Sequence, residues 1–429
     1  MLTRRNAIKS MAAMATVQIV PRHVIGQGVT PPSETLTKAV IGCGGMSEAH
    51  LFSYTGKLLA ICDVDKKHLQ GRLDECKGKG WNDVKAYHDY REVLQRPDID
   101  IVHIVTPPHW HGLMAIAAAK AGKDIWCEKP MTRTIGEGLK VIEAIEKHQR
   151  MMRINTWFRF DSRYYSTMKP SRDIRKAVAA GLFGWPLKFN IGNNLVGGGW
   201  KLRMWMGRTD LKEQPVPEEL DYNRWLGPAP VKPYHPHRVH QSFRGYWDYD
   251  GGGLGDMGMH FLDPAQYILG KDDTSPISIE VDGDPQDKDA VLPWRKIVLR
   301  YEDGCEIHLW GETKEPENLP IIEGPEGKLF PGFKSDIAGF KDKVEALPDP
   351  DLGITDFQIS VRERKKFALN EVNGHRSTTI INLAKTALQV GRSLTFDPVK
   401  QVFTGEESEA ANAYIHQPMR PEFNYETAT

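Results

Sequence analysis

Short apolar runs alternate with longer amphipathic stretches over the first third of the chain. The runs cover residues 38–41, 57–63, 100–105, 124–127 and 151–158, and helical periodicity marks 65–77, 111–121 and 135–148 between them. Strands that alternate with helices at this spacing are typical of a parallel sheet with helices on both faces. The pattern therefore predicts a doubly wound α/β domain over residues 36–158.

The pattern changes after Asp161. One helix is predicted at 171–180, and strand-like segments follow at 186–193, 277–282, 296–301 and 305–310, the last two joined by a tight turn at 302–304. These features favour an α+β C-terminal domain with a largely antiparallel open sheet over residues 159–395. An amphipathic helix at 377–391 closes it, and a polar tail covers 396–429.

A long stretch from Gly197 to Tyr249 has little regular pattern and is rich in Trp, Pro, His and Arg. A loop of this length inside a folded domain usually serves the function of the protein. We therefore expect part of the functional site to come from this stretch.

Composition narrows the choice of partners. Lys and Arg together number 56, as do Asp and Glu, so the formal net charge is zero and nothing favours nucleic acid or an anionic membrane. No apolar run reaches the length of a membrane span, so stable membrane insertion is not expected. Five cysteines spread singly argue against a disulfide framework or a paired-cysteine zinc site.

Residues 1–35 are expected to be a targeting segment and linker. Thr3-Arg4-Arg5-Asn6-Ala7-Ile8-Lys9, followed by the apolar stretch Met11–Val20, is typical of a twin-arginine export signal. The alternative is an ordinary basic N-terminus before a helix. Export predicts a periplasmic protein that meets the twin-arginine machinery. Because that pathway carries folded proteins, a bound nucleotide could travel with the chain.

A glycine-rich turn follows the first strand. Gly42 and Gly44 form a G-x-G, Gly45 and Met46 continue the turn, and Ser47 replaces the third glycine of the dinucleotide-binding fingerprint. Such a turn, lying between a strand and a helix, brings backbone N–H groups to a pyrophosphate. The sequence therefore predicts a Rossmann fold that holds a nicotinamide nucleotide.

Asp63 ends the second strand, about twenty residues after the turn, where an acid accepts the ribose hydroxyls. A carboxylate there repels a 2′-phosphate, so we predict that the cofactor is NAD and that it is tightly bound. Lys66 and Lys67 leave NADP open as the alternative.

Two further motifs carry candidate chemistry. Glu128-Lys129-Pro130 follows an apolar run, and Asp256 and His260 lie four residues apart after a run of glycines. Together with the glycine turn, these motifs resemble the Gfo/Idh/MocA oxidoreductase family from about Leu36 onward. The resemblance implies a nicotinamide-dependent enzyme that acts on sugars or cyclitols and assembles as a homodimer or homotetramer.

The resemblance also assigns roles to residues. Glu128 and Lys129 would contact the cofactor, and Lys129 would also stabilise a developing alkoxide. His260 would be the general base, with a pKa near neutrality, and Asp256 would orient a substrate hydroxyl. Thr106, Pro107 and His111 would line the nicotinamide ribose, although a capping role for His111 is an equal alternative.

Aromatic side chains crowd the region that should meet the substrate. Sugar rings stack on such faces, although buried aromatics are the commoner use. We predict that Trp247 and Arg159 lie near the substrate and that the other aromatics belong to the core: Trp157, Trp200, Trp205, Trp225 and Tyr246. The histidines at 235, 237 and 240 have the residue type of a metal site but not a usual zinc spacing, so no metal is predicted.

The interpretation is a dehydrogenase that transfers hydride between NAD and a secondary hydroxyl of a sugar, glycoside or cyclitol. One alternative is a glycoside-cleaving enzyme that oxidises a hydroxyl transiently, eliminates the aglycone and returns the hydride. A second alternative is a non-catalytic sugar- or nucleotide-binding protein.

The twin-arginine interpretation is testable by replacing both Arg4 and Arg5 with Lys. Because the export machinery reads the guanidinium pair, we expect the double variant to stay in the cytoplasm. Fractionation of cells producing either form measures this. Export at the wild-type level would show that the segment is not such a signal.

Overall fold

Six parallel strands form the N-terminal sheet in the order β3-β2-β1-β4-β5-β6. The order reverses direction between β1 and β4, and ligands of doubly wound sheets bind at the carboxyl ends beside such a switch point. The strands are β1 Thr37–Ile41, β2 Lys57–Cys62, β3 Lys85–Tyr87, β4 Ile101–Ile104, β5 Asp124–Glu128 and β6 Met152–Asn155. The helices are α1 Ser47–Leu51, α2 Lys66–Gly78, α3 Tyr90–Leu94, α4 His111–Lys120 and α5 Ile135–Lys147.

The apolar runs form strands because helices cover both faces of this sheet. Every residue of β4 and β5 is buried, as expected of central parallel strands. Neither β3 nor α3 was predicted from the sequence, and both are short. Of the three residues of β3, only Tyr87 is even partly buried. A peripheral strand of that kind carries no apolar run to recognise.

The C-terminal sheet has nine strands in the order β13-β12-β11-β7-β10-β9-β8-β14-β15. Neighbours pair antiparallel except β7 and β10, which pair parallel. The predicted fold class, an α/β Rossmann domain followed by an α+β domain with a largely antiparallel open sheet, is confirmed. The strands are β7 Lys188–Gly192, β8 Ser278–Gly283, β9 Trp294–Arg300, β10 Glu306–Trp310, β11 Ile322–Gly324, β12 Gly327–Phe330, β13 Lys334–Ser335, β14 Leu394–Asp397 and β15 Val402–Thr404.

Two long helices position the site in this part. The first, α8 (Gly252–Leu269), is buried along its full length, and its polar residues Asp256, His260, Asp263 and Gln266 are buried with it. The second, α11 (Glu371–Val390), begins six residues before the predicted start, because the Asn370 side chain caps it and Asn373 bonds back to the cap. The C-terminal helices are α6 Ser171–Ala179, α7 Tyr222–Leu226, α8 Gly252–Leu269, α9 Phe340–Glu345, α10 Phe357–Glu363, α11 Glu371–Val390 and α12 Ser408–Asn412.

The computed structural model describes residues 35–156, 158, 159, 171–192, 195 and 199–427. The predicted export signal and Trp157 lie outside these residues. None of the helices described in these ranges is both long and apolar enough to cross a membrane.

Close packing of α5 against α11 is testable at Gly138. A Cβ at this glycine would lie 2.1 Å from Nδ1 of the buried His375, so Gly138→Ala should cost about 1–3 kcal/mol of stability through overpacking. Gly71 on α2 has nothing within 4 Å of a built Cβ, and Gly71→Ala should stabilise by up to about 1 kcal/mol. Urea unfolding of both variants measures the difference, and equal effects would contradict this packing.

Candidate active site

A cavity of about 810 Å³ opens at the carboxyl ends of the N-terminal strands. Its other walls come from the start of α8, from Phe423 and from residues 199–249, which we call the covering segment. The predicted site residues that line it are Gly42, Gly44, Gly45, Met46, Asp63, Thr106, Pro107, Glu128, Lys129, Asp256 and His260. The fold thus brings three distant stretches of sequence to one chamber.

The glycine turn fits a pyrophosphate. Gly42 has φ 99°, and a Cβ there would lie 2.5 Å from the carbonyl oxygen of Val105, so only glycine suits this position. Gly44 and Gly45 have open space where a side chain would project. The Ser47 hydroxyl donates to the Gly44 carbonyl at 2.6 Å, so the serine that replaces the third glycine braces the turn.

Asp63 stands on the cavity wall beside this turn. Its Oδ2 accepts a hydrogen bond from Cys43 N at 2.6 Å, and its Oδ1 accepts one from Asp65 N at 2.8 Å. Burial raises the pKa of Asp63, and the two backbone N–H groups lower it by less. Its position beside the glycine turn suits recognition of a ribose, so this wall fits the nucleotide that the sequence predicts.

Glu128 is held by buried polar groups beneath the cavity. Its Oε1 accepts from Asn155 Nδ2 at 2.7 Å and lies 2.8 Å from His50 Nε2, and Nδ1 of His50 lies 3.0 Å from Nδ1 of His103. Burial raises the pKa of Glu128, but His50, Lys129 and Asn155 lower it further, to about 2. Glu128 is therefore ionised, and His50 and Asn155 hold its carboxylate in place.

Lys129 and Asp256 join the two halves of the site. Lys129 Nζ donates to the backbone oxygen of Asp256 at 2.7 Å and to its Oδ1 at 3.2 Å. Arg244 Nε, from the covering segment, donates to the same Oδ1 at 2.8 Å. Burial raises the pKa of Asp256, but these two cations lower it by more, so the carboxylate stays ionised.

His260 is a neutral imidazole in this environment. Its Nδ1 lies 3.2 Å from the Thr156 hydroxyl. Burial, and then the charge of Lys129, lower its pKa to about 3. The near-neutral pKa expected from the sequence is therefore not found, because the sequence cannot show how deeply the ring is buried beside a cation.

Asp250 also lines the cavity, and its carboxyl group holds its proton more strongly than an ordinary aspartic acid. Burial and the charge of Asp256 raise its pKa to about 7, against the opposing cations Arg244, Lys129 and Lys385. No hydrogen bond reaches its Oδ1 from the residues that the structure describes. Gly255 makes room for this oxygen, since a Cβ there would lie 2.2 Å from it.

Three predicted residues do not line the cavity. His111 is buried with Nδ1 2.7 Å from the Pro130 oxygen and Nε2 2.8 Å from the Thr106 oxygen, so it ties the two cofactor loops together. Arg159 is buried in ion pairs with Asp263, at 2.6 Å, and Asp272.

Trp247 is the third of these residues. It is buried and donates its indole N–H to the Asp287 oxygen at 3.1 Å, outside the lining. The structure therefore does not bring Arg159 or Trp247 to the cavity where we predicted a substrate.

Sequence reasoning missed several residues of the lining. Arg244, Lys201 and Trp205 come from the covering segment, and the Arg244 guanidinium lies 4.8 Å from the centre of the Trp205 ring. Trp205, which we assigned to the core from the sequence, therefore lines the cavity, whereas Trp247, which we expected near the substrate, does not. The covering segment has no periodicity from which these residues could be predicted. Asp250, also in the lining, directly precedes the glycine run, and its position could have indicated a site residue.

The sequence matches known families along most of its length. Residues 36–156 match an oxidoreductase family's NAD-binding Rossmann fold, and residues 167–425 match the C-terminal alpha/beta domain of that family. The chain belongs to the Gfo/Idh/MocA oxidoreductase family. Its N-terminal domain is thus an NAD-binding Rossmann fold, as the glycine turn and Asp63 predicted.

Individual Gfo/Idh/MocA relatives are distant. An inositol 2-dehydrogenase from Salmonella paratyphi B is 29% identical over 159 residues, which are 36% of this chain and 44% of that enzyme. A glycosyl hydrolase family 109 protein from Shewanella is 33% identical over 189 residues, 42% of this chain and 39% of that protein. The chain thus matches less than half of the length of either relative.

Solved structures share the fold. A WlbA dehydrogenase from Chromobacterium violaceum, solved with NADH and UDP-GlcNAcA, superimposes with a TM-score of 0.58 at 16% identity, over 86% of this chain and 99% of that one. At this identity the likeness concerns the fold, since one fold hosts many substrates.

The position of Asp63 predicts the choice of nucleotide. Asp63→Ser removes the carboxylate, so we expect NAD to bind about 10–100-fold more weakly while NADP loses less or gains. Titration of nucleotide-free protein with both nucleotides measures the ratio. Asp74→Ser, at an exposed acid on α2, is the matched control and should leave both affinities unchanged. An unaltered ratio in Asp63→Ser would show that this carboxylate does not face the ribose.

Proposed function

We propose that this protein oxidises a secondary hydroxyl of a sugar, glycoside or cyclitol, with NAD as the hydride acceptor. The observation that supports it most strongly is the contact of Lys129 Nζ with Asp256 in the chamber that also contains the glycine turn and Asp63. A cation, a carboxylate and a neutral imidazole beside a nucleotide site are the groups that carbinol oxidation needs.

Each residue has a distinct part in the proposed reaction. When bound, the nicotinamide supplies the acceptor for the hydride. Lys129 uses two of its three N–H bonds on Asp256, and the third is available to a substrate hydroxyl, where it stabilises the developing alkoxide. His260 is neutral and takes the hydroxyl proton. Asp256, held by Lys129 and Arg244, accepts a hydrogen bond from a neighbouring hydroxyl.

In this proposal Asp250 acts on His260 through Lys129, the cation that lowers the pKa of the imidazole. When Asp250 is ionised, it adds negative charge near Lys129 and Arg244, and this favours the imidazolium that His260 becomes as it accepts the proton. When Asp250 is protonated, that support is lost. The rate of hydride transfer should therefore rise with pH through an apparent pKa near 7.

A second candidate function is glycoside cleavage by transient oxidation, elimination and return of the hydride. The stretch that is 33% identical to a glycosyl hydrolase family 109 protein favours it. The same lysine and histidine would serve both reactions. Release of aglycone without net NADH would identify cleavage, whereas accumulation of NADH and a keto sugar would identify the dehydrogenase.

Three further properties belong to this proposal. Tight binding of NAD is favoured by the covering segment, whose Phe243 and Arg244 line the nucleotide cavity together with Phe423. Export through the twin-arginine pathway would then deliver a protein already loaded with nucleotide. Assembly as a homodimer or homotetramer rests on the family and on the open C-terminal sheet.

The catalytic roles are testable by single-turnover reduction of bound NAD with saturating carbohydrate across pH. His260→Ala should lower the rate by about a hundredfold or more at every pH, and Lys129→Ala should be at least as damaging. Asp250→Asn should abolish the rise near pH 7, because its amide cannot ionise.

Asp248→Asn is the matched control, two residues away and outside the cavity lining, and should keep the wild-type profile. A wild-type rise in Asp250→Asn would assign the titration to another group. Wild-type rates in Lys129→Ala would contradict the proposed site. If no carbohydrate reduces the NAD bound to the protein, a non-catalytic binding role would be favoured.

A further inference from the structure

A carboxylate and two imidazoles meet at the edge of the nucleotide cavity. Asp65, His68 and His240 each offer one ligand atom, and these atoms all lie within 4.8 Å of one another. All three residues line the cavity, and the proposed chemistry uses none of them. Among the described residues, the histidines at 235, 237 and 240 do not form a metal-binding group with one another. His240 instead lies beside Asp65 and His68 of the Rossmann domain.

The chain builds this cluster from two separate elements. Asp65 caps α2 through Oδ1, which accepts from Lys67 N at 2.8 Å and His68 N at 3.1 Å. This leaves Oδ2 turned toward His240, whose Nε2 lies 3.4 Å away. The first turn of α2 carries His68 on the same side, and the centres of the two imidazole rings are 4.6 Å apart.

The chemistry of the three groups suits a metal ion. Asp65 is only 4% exposed, and no lysine or arginine among the described residues forms an ion pair with its carboxylate. The neighbouring Lys67 is paired with Glu219 instead. Two imidazole nitrogens and a carboxylate oxygen are ligands that Zn²⁺, Co²⁺ and Ni²⁺ accept.

The distances are near those of such a site. Ligand atoms around a tetrahedral zinc lie about 3.3–3.4 Å apart, so the Asp65–His240 edge already fits, and ring rotations would shorten the longer edges. His240 has a side chain 40% exposed, which gives an ion access and leaves room for a water ligand.

We propose that Asp65, His68 and His240 bind a divalent cation of the zinc, cobalt and nickel class. The ion fastens the covering segment to the Rossmann domain. Two backbone hydrogen bonds already join these parts, from Lys66 N to the Glu219 oxygen at 2.9 Å and from Asp221 N to the Val64 oxygen at 3.0 Å. The ion adds a further link along the same seam, at the edge of the nucleotide cavity.

The test is titration of tag-free, chelator-treated protein with Co²⁺, followed by visible absorption, and then displacement by Zn²⁺. Wild type should bind a single Co²⁺ with the absorption bands of a nitrogen- and oxygen-ligated ion, and Zn²⁺ should raise the unfolding temperature. His68→Ala and His240→Ala should each weaken Co²⁺ binding at least tenfold and remove the effect of Zn²⁺ on unfolding.

His237→Ala is the matched control, because His237 belongs to the same histidine run but contacts the Tyr246 hydroxyl at 2.8 Å. It should bind Co²⁺ like wild type. The histidine variants keep the Asp65 cap of α2, and circular dichroism checks that they fold. Absence of bound Co²⁺, or binding that survives in both His68→Ala and His240→Ala, would overturn the proposal and identify Asp65–His240 as a simple ion pair.

Discussion

The contact between Lys129 and Asp256 is the interaction on which the site depends. Lys129 follows the last residue of β5 in the N-terminal sheet, and Asp256 lies near the start of α8 in the C-terminal part. One ammonium group donates to both the backbone and the side chain of Asp256, so it fixes the start of the helix as well as the carboxylate. Two parts of the fold thereby share one charge pair at the chamber where the nucleotide and the substrate would meet.

Burial decides how the other charges of the chamber behave. Glu128 and Asp256 stay ionised because cations and hydrogen-bond donors outweigh their desolvation. For Asp250, burial and the charge of Asp256 outweigh the neighbouring cations and raise its pKa to about 7. Lys385, buried behind Asp250, has its pKa lowered by burial to about 8. Anions and cations therefore alternate through the site, and removing one shifts the proton affinity of its neighbours.

Much of this arrangement could be predicted from the sequence, because local rules dictate it. The glycine turn, Asp63, Lys129 and the Asp256–His260 pair carry spacing or context that physical chemistry can interpret, and the fold brings all of them to one cavity. Arg244, Trp205 and Lys201 could not be found, because the covering segment is irregular and its contacts are long-range. The misplacement of Trp247 has the same cause, since a tryptophan reveals its burial only in the folded chain.

A double-mutant cycle on Lys129 and Asp256 tests the central claim most directly. The measured quantity is the rate constant for reduction of bound NAD by carbohydrate in Lys129→Met, Asp256→Asn and the double variant. If the pair acts as one unit, the double variant should be about as slow as the slower single variant. If the two losses multiply, the residues act independently and the contact between them does not organise the site.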